Sequence, residues 1–318
     1  MSLSNRTVAC APVICVAMAV HNGARFLPEQ LDSLHKQSLK PVHLLVGDDR
    51  STDETADVIS SFMEGWQTCN FSMWAGPCRG YSANFNALFA HVPENTDYLA
   101  LSDQDDVWLA DKLERAVRRI EELEHQNKPV LYGSASLICD ENLSNPRPSV
   151  RAGQPLGFGH AIAQNFAGGN TMVMNRAAIA LIRSAAPWHL DIPVHDWWLY
   201  QLISGAGGEI IYDTKPGLYY RQHDLNMIGV NDTLVASLYR IKDMLSGVYL
   251  DWNNRNVASL IQCGTLLTPE NRQLVLDMEQ LGTCSMADRL RFLRHHRIRR
   301  RGISGTCGLW LSAVLNKF

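Results

Sequence analysis

The sequence predicts an α/β fold in which a mostly parallel sheet is covered by helices. Short apolar runs alternate with helix-like patterns through the first 130 residues, which is typical of parallel strands joined by crossover helices. The chain has 318 residues, 46% of them hydrophobic, so it can bury a sizeable core. Acidic residues directly follow two of the apolar runs, at the edge where parallel sheets bind ligands.

The first part of the chain contains four strand-like runs and four helix-like segments. The last helix has the clearest period, because Leu113, Val117 and Ile120 fall on one face. The predicted strands are 13–20, 42–47, 70–74 and 97–102, and the predicted helices are 26–37, 52–64, 83–91 and 109–125.

The second part is less regular, and from about residue 232 its pattern is helical. A short amphipathic helix is expected to begin at 194–198, and another helix at Pro269. The other predicted elements are a strand over 129–138, a loop over 140–160, a strand over 171–174, a helix over 176–185 and strands over 209–213 and 217–221.

The apolar run 8–20 admits two interpretations. It follows Arg6 and ends in small residues, as a signal peptide does. It is also rich in β-branched residues between Pro12 and Gly23, as a buried strand is. We favour the strand, because the polar residues that follow make sense only if the strand is retained.

Composition narrows the function classes. A net charge of -3 argues against a nucleic-acid partner for the chain as a whole. No apolar run reaches the roughly 18 residues of a transmembrane helix. The eight cysteines form no C-x-x-C motif; their even number permits disulfides, but their scatter favours free thiols in a reducing compartment.

Acidic clusters after the second and fourth strands are candidate ligand-binding groups. Asp48, Asp49 and Asp53 follow one strand, and Asp103, Asp105 and Asp106 follow the other. Carboxylates at a strand end suit Mg²⁺ or Mn²⁺ together with phosphate oxygens. The alternatives are a helix cap for the first cluster and a solvated turn for the second.

Two later residues also have alternative interpretations. Asp196, beside His195, is either a helix cap or a general base near an aromatic platform. His223 is either a satisfied strand histidine or a metal or phosphate ligand at a strand end.

Taken together, these pieces resemble the family 2 glycosyltransferases, which are inverting enzymes with a GT-A, nucleotide-diphospho-sugar transferase fold. The resemblance covers about residues 13–228 in order and spacing. D-Q-D-D-V-W, H-D-W-W and Y-R-Q-H are similar to the rhamnosyltransferase-like subgroup that builds bacterial surface polysaccharides. The matching stretches are 16–23, 47–53, 79–86, 102–108, 168–172, 195–198 and 220–223.

The resemblance implies a role for each matching residue. Asp196 corresponds to the catalytic base, and His195 stands where the family usually has Glu. Asp103, Asp105 and His223 correspond to the groups that hold Mg²⁺ or Mn²⁺. The implied nucleotide-binding residues are Val20, which replaces an aromatic residue, with His21, Asn22, Asp48, Asp49, Arg79, Asn84, Asp103, Gln104 and Arg221.

The implied reaction is direct displacement with inversion, from a dTDP- or UDP-sugar to a saccharide or lipid-linked saccharide. The departing diphosphate would be stabilised by the cation together with Arg221 or a helix N-terminus. Two other functions stay open. Sugar-phosphate nucleotidyl transfer would need a richer glycine-arginine loop than 21–25 provides, and a non-catalytic scaffold would have no need of Asp103, Asp105 and Asp196.

The end of the chain differs in charge from the rest. Residues 289–318 contain seven Arg, one Lys and no acid, whereas the remainder has a net charge of -11. We expect a domain over 1–228 and a helical extension over 229–318. Its basic and apolar segment 289–315 is expected to contact the inner face of the cell membrane from the cytoplasm. The alternative is that this segment covers an acidic groove of the protein itself or a homodimer contact.

Overall fold

The computed structural model describes residues 11–123, 127–149, 155–223 and 247–318. The strands are β1 Ile14–Val20, β2 His43–Asp48, β3 Asn70–Ala75, β4 Tyr98–Ser102, β5 Val107–Trp108, β6 Val130–Ser134, β7 Leu137–Cys139, β8 Arg147–Pro148, β9 Val173–Asn175, β10 Glu209–Asp213 and β11 Leu218–Arg221. The α-helices are α1 Leu27–His35, α2 Thr55–Gly65, α3 Tyr81–Leu88, α4 Lys112–Glu121, α5 Phe158–Ala163, α6 Arg176–Ala185, α7 His195–Gly205, α8 Val248–Gln262, α9 Pro269–Gln280, α10 Met286–His295 and α11 Gly302–Val314.

The larger sheet has seven strands in the order β10-β6-β9-β4-β1-β2-β3. Its strand pairs are parallel except where β9 runs antiparallel between β4 and β6. The mostly parallel sheet predicted from the sequence is therefore confirmed. β1 is a central, almost wholly buried strand of this sheet, which supports the strand interpretation of the first apolar run.

A second, four-stranded sheet in the order β5-β11-β7-β8 corrects one sequence prediction. The single strand expected over 129–138 is two strands, one in each sheet. The chain changes sheets at Ala135, whose N–H donates to Asp213 O and whose carbonyl accepts from Gly217 N. The N–H and the carbonyl of Ala135 are thus hydrogen-bonded to β10 and to the loop before β11, respectively. The chain leaves the larger sheet at this residue.

The core lies on both faces of the larger sheet. Alternate residues of β1 point to opposite faces, so Cys15 and Ala17 join one cluster while Val16 and Met18 join the other. The C-terminal helices pack into the first cluster through residues such as Leu260. The domain boundary expected at 228/229 lies outside the described residues, and the division stays a proposal.

Local sequence accounts for several helix boundaries. Thr268 accepts a hydrogen bond from Asn271 N and Pro269 occupies the first helical position of α9, as expected from the sequence. Asn175 caps α6 in the same way, by accepting from Ala178 N. α4 begins later than predicted, at Lys112, because the chain first forms β5 and the N–H of Leu109 donates to Gly217 O in the loop before β11.

Two further sequence predictions concern free cysteine thiols and membrane-spanning helices. The described cysteines are free, and burial raises the pKa of the Cys15 and Cys69 thiols well above its usual range. Cys10 lies outside the described residues. Among the helices described, none is long and apolar enough to cross a membrane.

Candidate active site

The carboxyl ends of β1, β2 and β4 form one edge, because these strands are neighbours in the sheet. The loops that follow them are tied together by hydrogen bonds. Gln104 accepts from His21 N at 2.8 Å and donates to His21 O at 3.0 Å. The His21 Nδ1 lies 2.9 Å from Asp49 O, and Asn22 Oδ1 accepts from Thr52 N. The sequence-predicted His21, Asn22 and Gln104 thus form the frame of this edge.

Asp48 and Asp49 both occupy this edge, half-buried. Asp48 Oδ1 accepts from the N–H and hydroxyl of Ser51, so it fixes the turn after β2. Asp49 Oδ1 accepts from Cys78 N at 2.8 Å, which connects the turn to the loop before α3. These contacts explain why the acidic run follows the strand, and they leave both carboxyl groups at the ligand-binding edge.

Three residues predicted to contact the nucleotide have buried side chains, and their nucleotide contacts stay a prediction. The Val20 side chain is 2% exposed and packs in the core. Asn84 is 1% exposed, and its amide donates to Gly47 O at 2.8 Å, beneath β2. Arg221 donates to the carbonyls of Asp105 and Glu141 and pairs with Glu29. These contacts support a positioning role for the three side chains, although the buried Asn84 Oδ1 has no hydrogen-bond partner within the described residues.

Arg79 and Arg50 are exposed cationic residues at the same edge. Arg79 lies just before the N-terminus of α3, where the helix dipole also favours an anion. Arg50 follows Asp49 and has a positive φ of 61°, which turns the chain sharply there. Arg50 was not singled out from the sequence. Its place inside the matching stretch 47–53 was the available signal.

The cluster after β4 has more negative charge than the surrounding donors satisfy. Burial, followed by the charges of Asp105 and Asp196, raises the pKa of Asp103. Asp106 is fully buried; its Oδ2 accepts from Asn170 Nδ2 at 2.6 Å, and its Oδ1 has no hydrogen-bond partner within the described chain. Such a recessed group of hard oxygen atoms fits a divalent cation.

Lys112 is a buried cation beneath these carboxyl groups, and sequence reasoning missed it. Its Nζ donates to Asn170 O at 2.7 Å and lies 3.0 Å from the ring centroid of Trp108. Burial lowers the pKa of Lys112 well below its usual range, although Asp106 and Asp103 oppose this effect. Its position one residue before the apolar helical stripe of α4 was the only available signal.

His223 lies against the same cluster. Its Nε2 is 2.8 Å from Asp105 Oδ2, and its ring stacks on Phe26 at 4.7 Å. The described residues contain no group of three His, Cys, Asp or Glu side chains arranged to enclose a metal ion. A cation beside Asp103 and Asp105 would therefore complete its coordination with phosphate oxygens and water, as Mg²⁺ commonly does.

Asp196, at the first turn of α7, is held by two backbone donors. Its Oδ2 accepts from Gly169 N at 2.8 Å and its Oδ1 from Trp197 N at 2.6 Å. Burial outweighs these bonds and raises the pKa of Asp196 to about 6. A carboxylate with such a pKa is well matched to take a proton near neutral pH.

The neighbouring His195 is buried, and its ring lies in an apolar environment that differs from the polar surroundings of Asp196. Both ring nitrogens lack a hydrogen-bond partner in the described part of the chain, and the ring stacks on Phe85 at 4.2 Å. Burial lowers the pKa of His195 to about 3, so it stays neutral. A Cβ on Gly169 would lie 2.8 Å from the His195 Nε2, so glycine is required where this loop crosses the ring.

Asp196 and the acidic cluster lie close together. The charge of Asp196 contributes to the raised pKa of Asp103, and burial, followed by the charges of Asp196 and Asp103, raises the pKa of Tyr81. This proximity joins residues that are 93 positions apart in the sequence. The site therefore combines a buried carboxylate with a raised pKa, an acidic cluster and an edge bearing Asp49 and Arg79.

The model of the family described as "Glycosyl transferase family 2" matches residues 15–185, more than half of the chain. The chain belongs to glycosyl transferase family 2. It is therefore a glycosyltransferase, and the family resemblance found in the sequence is confirmed.

Curated relatives extend the comparison. The chain is 29% identical over 233 residues to a "dTDP-rhamnosyl transferase RfbG" of Shigella flexneri, covering 70% of this chain and 78% of the relative. It is 27% identical over 178 residues to the "Amylovoran biosynthesis glycosyltransferase AmsB" of Erwinia amylovora, covering 53% of this chain and 57% of that relative.

Solved structures support the GT-A fold. The S. aureus TarS 1-349 complex with UDP-GlcNAc has a TM-score of 0.54 at 13% identity, covering 96% of this chain and 90% of that one. The mannosyltransferase PcManGT from Pyrobaculum calidifontis, in complex with GDP-Man and Mn²⁺, has a TM-score of 0.53 at 16% identity, covering 98% and 82%. At these identities the likeness concerns the fold alone.

Proposed function

We propose that this glycosyltransferase inverts configuration while transferring a sugar from a dTDP- or UDP-sugar to a saccharide or lipid-linked saccharide. The observation that carries the proposal is the proximity of Asp196, a general base with a raised pKa, to the acidic pair Asp103 and Asp105. A retaining double displacement would need a nucleophile on the protein, whereas one base suffices for direct displacement.

The donor's nucleotide would lie on the edge formed by the loops after β1 and β2. Asp49 offers carboxylate oxygens to a base N–H or a ribose hydroxyl, and Arg79 offers an exposed guanidinium near the N-terminus of α3. Both groups suit a nucleoside diphosphate, because one end of that ligand donates hydrogen bonds and the other is anionic.

Asp103 and Asp105, with His223 beside Asp105, are the groups that would hold Mg²⁺ or Mn²⁺. When bound, the cation would act as a Lewis acid toward the diphosphate leaving group. The PcManGT complex contains Mn²⁺ together with a nucleotide sugar on the same fold. Arg221 would act by holding the backbone of Asp105 in place.

The chemical step that we derive for the chain itself is proton removal. Asp196 accepts the proton of the acceptor hydroxyl as that oxygen attacks the anomeric carbon, and the bond to the nucleotide diphosphate breaks on the opposite face. Gly169 N and Trp197 N fix the carboxylate throughout. Acid–base assistance of this kind is typically worth about 10²–10⁴ in rate.

The relatives support a role in surface polysaccharide synthesis, such as O-antigen or capsule, with rhamnose as the sugar. One is named a dTDP-rhamnosyl transferase and another acts in amylovoran biosynthesis. We accordingly place the protein in the cytoplasm, at the inner face of the membrane where a lipid-linked acceptor would be carried. The homodimer considered from the sequence stays a prediction.

Thermal shift with nucleotide sugars tests the donor and cation together. We expect a dTDP- or UDP-sugar to raise the Tm with Mg²⁺ or Mn²⁺ and to have little effect in EDTA. Asp105→Ala should abolish the metal-dependent shift, whereas the exposed control Asp57→Ala should retain it. An unchanged metal response in Asp105→Ala would refute the assigned cation site.

Analysis of the product's anomeric configuration tests inversion. A product with the same configuration as the donor would overturn the role given to Asp196. Nucleotide-sugar hydrolysis and transfer that are both absent, despite donor binding, would favour the non-catalytic scaffold.

A further inference from the structure

The last helix of the chain has one buried and one exposed apolar face. Leu309 and Ala313 of α11 are buried in the core. On the other side, Ile303 is 86% exposed and Leu311 is 50% exposed. We call this exposed set the outer stripe; its spacing of three or four residues places its members on one side of the helix: Ile303, Cys307, Leu311, Val314 and Leu315.

The outer stripe is held in place by the protein. Arg289, from α10, donates to Ala313 O and to Cys284 O, at 2.6 Å each. The buried face of α11 contributes to the same core cluster as the sheet. A terminal helix with such contacts presents its outer face in a fixed orientation.

The segment that leads into α11 carries exposed arginines, of which Arg291 pairs with Asp288 at 3.0 Å. From 289 to 318 the sequence contains no Asp or Glu. Phe292, Leu293 and Ile298 of the same region are buried, so the arginines between them project from a packed segment. The exposed arginines are Arg291, Arg294, Arg297, Arg299 and Arg301.

Two arginines of the basic segment contact the backbone of the protein itself. Arg289 and Arg300 donate to backbone carbonyls, Ala313 O and Ala163 O respectively. The five exposed arginines named above keep positive charge at the surface of the protein.

We propose that the outer stripe and its flanking arginines form a docking face for an anionic lipid bilayer. Apolar side chains beside a cluster of arginines match the two components of such a surface, its acyl region and its anionic headgroups. The helix spans 13 residues, too few to cross a bilayer, so α11 would lie in the interface plane.

The docking face is connected to the acceptor side of the site. Arg300 Nε donates to Ala163 O at 2.9 Å, and Arg301 N donates to Gln164 Oε1 at 3.1 Å. The next residue, Asn165, hydrogen-bonds to Asp196. If the acceptor is lipid-linked, as the proposed function holds, docking would bring the base to the membrane surface; the docking itself does not depend on that function.

Vesicle co-sedimentation with the full chain tests the face directly. We expect binding to phosphatidylglycerol-containing vesicles and little binding to pure phosphatidylcholine. Ile303→Ser with Leu311→Ser should weaken binding at least tenfold, since both side chains lose apolar burial. The matched control, Leu123→Ser with Val248→Ser, removes two other exposed apolar residues and should bind normally.

A second pair of variants tests the charge. Arg294→Gln with Arg299→Gln should weaken binding by about 30-fold at low ionic strength, because each arginine near an anionic surface adds about a kcal/mol. Arg118→Gln with Arg119→Gln, exposed arginines of α4, is the matched control. High salt should reduce the difference between the two pairs.

Specific outcomes would overturn the proposal. Equal vesicle binding by the stripe variant and its control, or no preference for anionic lipid, would exclude this face. A concentration-dependent dimer that Ile303→Ser with Leu311→Ser converts to monomer, without vesicle binding by the natural chain, would make the stripe a homodimer contact. Because no activity is measured, failure of the proposed transferase function would leave this result unaffected.

Discussion

Asp196→Asn should lower the rate of transfer without lowering the stability of the fold. Ionisation of the buried Asp196 reduces the free energy of unfolding, and asparagine removes that penalty. Burial raises the pKa of Asp196 from 3.8 to about 6. The folded protein therefore binds more protons at this group than the unfolded chain between these two values, and stability falls as pH rises through that window. The penalty is complete above about pH 6 and has an upper limit of about 3 kcal/mol.

The same pKa predicts the pH dependence of the reaction. A base must be deprotonated, so kcat/KM in the natural enzyme should fall on the acid side with a midpoint near pH 6. At pH 5 about a tenth of the molecules would have an ionised base, and kcat/KM should be about tenfold lower than at pH 7.

Asparagine preserves the size of Asp196 and removes its basicity. It should lower transfer by about 10²–10⁴, which is about 3–5 kcal/mol of transition-state stabilisation. At pH 8 the variant should be no less stable than the natural protein, because loss of the buried charge offsets the weaker hydrogen bonds to Gly169 N and Trp197 N.

The assay combines radiolabelled sugar transfer from pH 5 to 9 with denaturant unfolding at pH 5 and pH 8. Donor binding by thermal shift is the control for an intact site. Near-normal turnover in Asp196→Asn, or an acid limb near pH 6 that persists in the residual activity of the variant, would refute the assignment and direct attention to another base.

Two further predictions test the frame of the site. Gly47→Ala should lower the free energy of unfolding by about 1–3 kcal/mol, because the new Cβ would lie 2.1 Å from the buried Asn84 Oδ1. In the same denaturant titration the control Gly65→Ala should be neutral, because the space around Gly65 is open. The backbone N–H of the exposed Cys78 donates to Asp49, so Cys78 lies at the proposed nucleotide edge. A bound nucleotide sugar should therefore slow the reaction of the Cys78 thiol with a thiol reagent and leave the exposed Cys307 thiol unaffected. A deviation of more than about 1 kcal/mol in Gly65→Ala, or equal protection of both thiols, would count against these assignments.

The sequence determined the order and type of most elements. β1, β2, β3 and β4 begin and end within about a residue of the predicted strands, and the helix predicted over 176–185 is α6. Hydrophobic periodicity is a local property, so it is readable without knowledge of the fold. The motif positions were readable for the same reason, because short stretches at strand ends identify the family.

The direction in which each motif side chain points depends on tertiary packing. Val20, Asn84 and Arg221 lie within the family motifs, yet their side chains are buried, and Asn84 and Arg221 hydrogen-bond to the frame of the site. A motif gives the residue type at a position, but burial depends on the elements that pack over it. These elements come from distant parts of the chain.

Long-range contacts also decided the electrostatics. Lys112 has the sequence environment of an ordinary helix start, and only the packing of α4 against β6 and β9 makes it a buried neighbour of Asp106. Likewise, the apolar end of the chain was evident from composition, but the two faces of α11 were not. Which face is covered depends on the core that the helix meets, so the exposed outer stripe is a property of the folded protein alone.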